Sequence, residues 1–219
     1  MGSITRGLSN NITTGGVVLP AGITNSSVSA VTSFANAAAA GTLTLLSTQT
    51  ASASANISFT TGLDSTYDEY IFKFIDIHPA TLGAEFEFNM STDSGSNYNV
   101  TKTTTFFRAS VYEDATNDIL DYRTAFDLAQ STGFQSLSYD VGNGNDESAS
   151  GSMILFNPSS TTYVKHFISI DNNTYDNSTQ NHYSAGYGNT TSAVNAVRFQ
   201  MSSGNIDEGI IKLYGVKKS

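Results

Sequence analysis

Cysteine and tryptophan are missing from this 219-residue chain, and proline occurs three times. Without cysteine there is no disulfide and no thiolate metal site, so packing and hydrogen bonds alone must hold the fold, and the redox compartment is not written in the sequence. Charge is scarce as well: 13% of residues are charged, against a usual share of about 25%. Most of that charge is acidic, with 10 Lys and Arg against 19 Asp and Glu and a formal net charge of −9. Such a chain offers no basic field for phosphates or anionic head groups, which makes nucleic acid and membrane surfaces poor partners. No apolar run approaches the roughly 18 residues of a membrane span. The opening MGSITRGLSNN lacks the basic start and apolar core of a secretory signal, so the expected place of folding is a cytoplasm.

What is present is Thr, Ser, Asn, Gly and Ala, with 13 Phe and 11 Tyr. No charged residue follows Arg6 until Asp64, and this composition break is the clearest boundary. Through Gly41 the apolar residues are isolated among small polar ones with neither a period of 2 nor of 3.6. Disordered tails usually carry high net charge and few β-branched residues, and this stretch does neither. Residues 1–41 therefore read as an extended arm that orders on a partner surface, and residues 42–219 as one domain.

From Thr42 onward short β-type runs alternate with turn residues. The runs are TLTLLS, SANISF, EYIFKFIDI, AEFEFNM, VTKTTTFFRASVY, SLSYD, SGSMILF, YVKHFISI, HYSAGY, AVRFQM and IIKLYGV. About ten strands at such spacing, with little helix, predict an all-β fold: an antiparallel β-sandwich of jelly-roll type. In AEFEFNM, Phe86, Phe88 and Met90 alternate with Glu85, Glu87 and Asn89, which gives one buried and one wet face. STDSGSNYN supplies hairpin residues between that run and the next, so those two strands are expected to pair. Glu113 to Phe134 reads equally as a short helix or an insertion between strands.

Catalytic chemistry finds little support. There is no Gly-x-Ser-x-Gly elbow, and His78, His166 and His182 each sit where a structural role suffices: before a proline, within a β run, and beside a polar loop. The acidic-amide stretches DNNTYDN and GNGNDE hold oxygen ligands but not the glycine and distal glutamate of an EF-hand loop, and read as solvated turns. Glu85 and Glu87 share a strand face, as paired carboxylates would, yet a wet face makes them solubilising. No metal, no cofactor and no enzyme activity are expected. The better candidate is a binding site in DNNTYDNSTQNHYSAGYGN, expected to be a long polar loop followed by a strand. There Tyr175, Tyr183 and Tyr187, with His182, combine rigid rings and adaptable amides suited to a sugar or receptor. The plainer reading packs Tyr183 and Tyr187 against the sheet.

Several segments carry a family resemblance: ITRGLSNNITTGGV at the start, LDSTYDEYIFKF and STDSGSNYNVT in the middle, and VRFQMSSGNIDEGIIKLYGVK at the end. Together they resemble virion proteins of marine tailed phages, of the cyanophage and pelagiphage kind, along essentially the whole chain. The resemblance implies a structural protein located in the virion and carries over no catalytic residue. A tail fibre, spike or other tail appendage contributing to host attachment is the first expectation; a capsid decoration protein or a glycan-binding module is the alternative. Residues 1–41 would dock on other virion proteins, as strand addition does. A homo-oligomer, most plausibly a trimer, is expected.

Overall fold

The structure, a computed structural model, describes Ile12–Thr13, Gly16–Val17 and residues 43–217. The chain divides into two units, Met1–Ala40 and Gly41–Ser219. In the first unit, β1 (Ile12–Thr13) pairs antiparallel with β2 (Gly16–Val17), and the rest of the predicted arm lies outside the described residues.

The second unit is an antiparallel β-sandwich. Its twelve strands are β3 (Leu43–Ser54), β4 (Ile57–Phe59), β5 (Glu69–Pro79), β6 (Ala84–Ser91), β7 (Lys102–Tyr112), β8 (Asp118–Tyr122), β9 (Gln135–Val141), β10 (Ala149–Phe156), β11 (Lys165–Tyr175), β12 (Ser178–Gly188), β13 (Ala196–Met201) and β14 (Ile206–Val216). The small sheet runs β4-β13-β6-β9 and the large one β3-β14-β5-β10-β11-β12-β7-β8. Eight of these strands make a jelly roll: β3-β14-β5-β10 faces β4-β13-β6-β9, and the ladder partners β3/β14, β4/β13, β5/β10 and β6/β9 nest from the ends of the chain inward. The other four are two insertions, β7 with β8 and β11 with β12, that widen one sheet and leave the other at four strands.

Alternation explains the core. Tyr70, Phe72 and Phe74 of β5, Met153 and Leu155 of β10, and Ile211 and Leu213 of β14 point inward from the large sheet. Phe86 and Phe88 of β6 and Val197 and Phe199 of β13 meet them from the small one. Phe199 is the hub. Its ring contacts those of Phe59, Phe72, Phe74, Phe86 and Phe88 at centroid distances of 5.1 to 6.3 Å. Edge-on and offset rings of this kind add to simple area burial.

One local expectation changes, and an open one is resolved in favour of an insertion between strands. β6 and β7 do not pair: β6 lies between β13 and β9 in the small sheet, while β7 lies between β12 and β8 in the large one. The ten residues between them cross from one sheet to the other instead of closing a tight turn, because both edges of β6 are taken. The stretch from Glu113 to Phe134 contains β8 and a single 3-10 turn, Thr124–Phe126.

Candidate functional site

The residues picked out as a loop, Asp171 to Asn181, form a hairpin. β11 and β12 pair continuously from Lys165↔Gly188 to Tyr175↔Ser178, leaving a two-residue turn at Asp176 and Asn177. Asp176 takes φ 48, and Ser178 Oγ donates to Tyr175 O at 2.7 Å. Pairing turns the segment into two alternating faces, so the four candidate residues part company. Tyr175 sits at the hairpin tip, its ring beside Gly83. His182 points inward and is fully buried. Tyr183 and Tyr187 point outward from the large sheet, Tyr183 stacked on Phe107 at 4.8 Å and Tyr187 near His166 at 6.0 Å.

Inward, beneath the inserted strands, lies a polar layer. Ser169, Asp171 and Asn173 of β11, Gln180, His182 and Ser184 of β12, Ser110 of β7, and Ser136 and Ser138 of β9 are all buried. Ser138 Oγ lies 3.0 Å from His182 Nδ1, and Asp171 is the ladder neighbour of His182. This is the nearest approach to a hydrolytic constellation, and its chemistry is wrong. Asp171 accepts from Ser169 Oγ at 2.5 Å, not from the imidazole, and all three residues are sealed from solvent. Burial pushes the Asp171 carboxyl well above the usual carboxylate range. Burial, helped by the positive charges of Arg108 and Arg123, pulls His182 down to about 3 from an ordinary 6.5. Arg108 and Arg123 both pair with Asp121 at 3.2 Å and lie over the Tyr139 ring.

His78 lies in an open polar groove with Asp76, Asp146, Glu147, Asp207 and Glu208. His78 Nδ1 is 2.8 Å from Glu147 O. Glu85 and Glu87 were expected to be wet; both are half-buried on the small sheet, where burial raises each carboxyl above its usual range. Gln200 Nε2 donates to Glu87 Oε1 at 2.8 Å. Among the described residues no group of three or more His, Cys, Asp or Glu is placed to hold a metal.

The outer face of the large sheet is the distinctive surface. Of the ten exposed large hydrophobic residues in the described chain, eight lie on it: Leu43, Leu45, Phe107, Val111, Leu120, Tyr122, Ile168 and Ile170. Leu120 is 79% exposed and Ile168 45%. Ladder register aligns an apolar row straight across the strands: Leu45, Tyr214, Ile71, Ile154, Ile168 and Ala185. Between Phe156, His166, Ile168 and Tyr187 the face dips into a shallow groove of about 490 Å³ floored by Ala185 and Gly186.

Sequence reasoning missed this face although a signal was there. YIFKFI, SMILF and IIKLYGV are nearly continuous apolar runs. An antiparallel sheet wet on one side alternates, so a continuous run says that both faces of the strand meet something apolar. Comparison with protein families, curated proteins and solved structures finds no match to this chain.

Proposed function

We propose that this chain is a non-enzymatic structural protein of a phage virion, a tail fibre, spike or related appendage that docks through residues 1–41 and contributes to host attachment. The observation that carries the proposal is the outer face of the large sheet. It is a broad apolar surface on a domain in which the one serine–histidine contact among the described residues is buried and unserved by a carboxylate. A protein that assembles with others needs such a face. The acidic, cysteine-free composition and the resemblance of the end segments to marine phage virion proteins support the same reading.

The test is purification of intact phage particles followed by quantitative mass spectrometry of the protein per particle. A small multiple of six or twelve copies fits a tail appendage, hundreds of copies a capsid decoration role, and absence from purified particles overturns the virion reading. Deleting residues 1–41 should abolish incorporation while the β domain still melts cooperatively. A second reading, glycan binding, is favoured by the groove beside Tyr187 and His166, where a ring could stack on a sugar. Loss of cell adsorption in Tyr187→Ala with unchanged assembly would favour it.

A further inference from the structure

We infer that the outer face of the large sheet is the contact surface for a second copy of this chain, related by a two-fold axis running along the row Leu45, Tyr214, Ile71, Ile154, Ile168 and Ala185. The inference rests on the reading of that face as an assembly surface and names its partner.

The argument starts from the rows that flank the central one. On one side the register aligns Thr48, Lys212, Lys73, Ser152, Ile170, Tyr183 and Phe107. On the other side it aligns Leu43, Val216, Glu69 and Phe156. The same side continues on the inserted hairpin with His166 and Tyr187. Lys73 and Lys212 are direct ladder partners, a like-charge opposition that costs stability in a sheet standing alone. Neither lysine belongs to the two ion pairs of the described residues, which join Arg108 and Arg123 to Asp121. In an acidic protein these two cations stand on an apolar surface, so a cover that brings a carboxylate to one of them relieves the opposition.

The same face presents that chemistry. A two-fold axis lying along the central row reverses the strand direction and keeps each strand over its own copy. The apolar row then packs on itself, Lys73 comes over Glu69 of the second copy while Lys212 comes over its Val216, and the reciprocal contacts form on the other side of the axis. Ile170 falls over the second copy's His166 and Tyr183 over its Tyr187, which keeps aromatic and aliphatic groups together. Such an isologous contact closes on itself as a dimer. The row lies near one end of the strands: β5, β10 and β14 extend two residues beyond it, to Glu69, Phe156 and Val216. About five to seven residues per strand therefore overlap, roughly 20 Å along strands that span roughly 34 Å across, a plan area on the order of 700 Å² against the roughly 800 Å² per partner of a standard interface, which makes the contact a modest one. The near-continuous apolar runs of β5, β10 and β14 have their second apolar face accounted for in the same way.

The test uses the full chain in analytical ultracentrifugation over a concentration series, with circular dichroism and melting curves to confirm the fold of each variant. The expected wild-type species is a dimer. Ile168→Glu, an outward substitution, should weaken association by at least a hundredfold without changing the circular dichroism. Lys73→Glu and Glu69→Lys should each weaken it by tenfold or more, and the double swap K73E with E69K should recover most of that loss. A monomeric or trimeric wild type, association unaffected by Ile168→Glu, or a double swap no better than either single change overturns the inference. Particle mass spectrometry reads out separately, so virion incorporation with a monomeric chain would refute the two-fold contact and leave the virion reading standing.

Discussion

Acid should loosen this domain through one imidazole. His182 is fully buried between β11 and β7, with Tyr139 4.9 Å and Phe106 5.4 Å from its ring, and its pKa is pulled down to about 3 from 6.5 by burial first and by Arg108 and Arg123 second. Between those two values the unfolded chain holds a proton that the folded chain refuses, so stability falls as pH drops below 6.5 and levels off near 3. Each pH unit in that window is worth about 1.4 kcal/mol, so going from pH 7.5 to 5.0 removes about 2 kcal/mol. For a domain of this size that is a fall in Tm of about 4–8 °C. Buried carboxyls work the other way: Glu85, Glu87, Asp140 and Asp171 are raised by burial, and the stability they contribute is present at low pH and lost as pH rises. The measurement is therefore a difference. Urea unfolding of wild type and His182→Gln is compared at half-unit steps from pH 7.5 to 5.0, glutamine keeping a hydrogen-bonding group opposite Ser138. The wild-type stability relative to the variant should decline by about 2 kcal/mol across the series. A difference that stays flat within about 0.5 kcal/mol would show that His182 reaches solvent or shares its proton in the folded state, and the account of the polar layer would fail.

Two further substitutions probe the interior. Lys102 is fully buried and brought down to about 7 from 10.5, chiefly by burial. Lys102→Met should raise stability at pH 6 by about 1–3 kcal/mol, since Asn89 Oδ1 still accepts from Met90 N–H at 2.8 Å. The gain should shrink above pH 7, where the lysine sheds its proton on folding; lower stability of the variant at both pH 6 and pH 9.5 would contradict the assignment. Phe199→Ala, removing the ring at the centre of five others, should cost about 3–5 kcal/mol in urea unfolding. A cost under about 1 kcal/mol would mean that the two sheets do not lock through that ring.

The jelly roll was legible because its inward residues alternate. EYIFKFIDI, AEFEFNM and AVRFQM declare strand and inner face at once. Partner choice was not legible, since period 2 marks a strand without naming its neighbour; hence β6 and β7 look like a hairpin and lie in different sheets. The hairpin from Asp171 to Asn181 was hidden by composition. Asn, Asp, Thr and Gln are usual in loops, but here every second one is inside, with Asp171, Asn173 and Gln180 buried in the polar layer. Alternation among polar residues carries no hydropathy signal, so their tertiary setting alone makes them strand. That explains why His182 was grouped with Tyr183: adjacent in sequence, they occupy opposite faces of β12.

The two insertions create a structural imbalance that bears on function. Four strands of the large sheet are backed by the small sheet and its phenylalanines, while the inner sides of β11, β12 and β7 combine a layer of Ser, Asn, Gln, Asp and His with the rings of Phe106, Phe126 and Tyr139. A buried hydrogen bond contributes little net stability, and Ser110 Oγ, Asn173 Oδ1, Gln180 Oε1, His182 Nε2 and Ser184 Oγ make none with the described protein groups. The inserted half therefore gains less from its inner side than the jelly roll does. Its outer side is where the apolar residues went: Phe107, Tyr122, Leu120, Ile168 and Ile170. This arrangement, more polar within than the jelly roll and apolar without, is what the proposed partner on the outer face would account for, because burial lacking beneath the insertions would then be supplied from above.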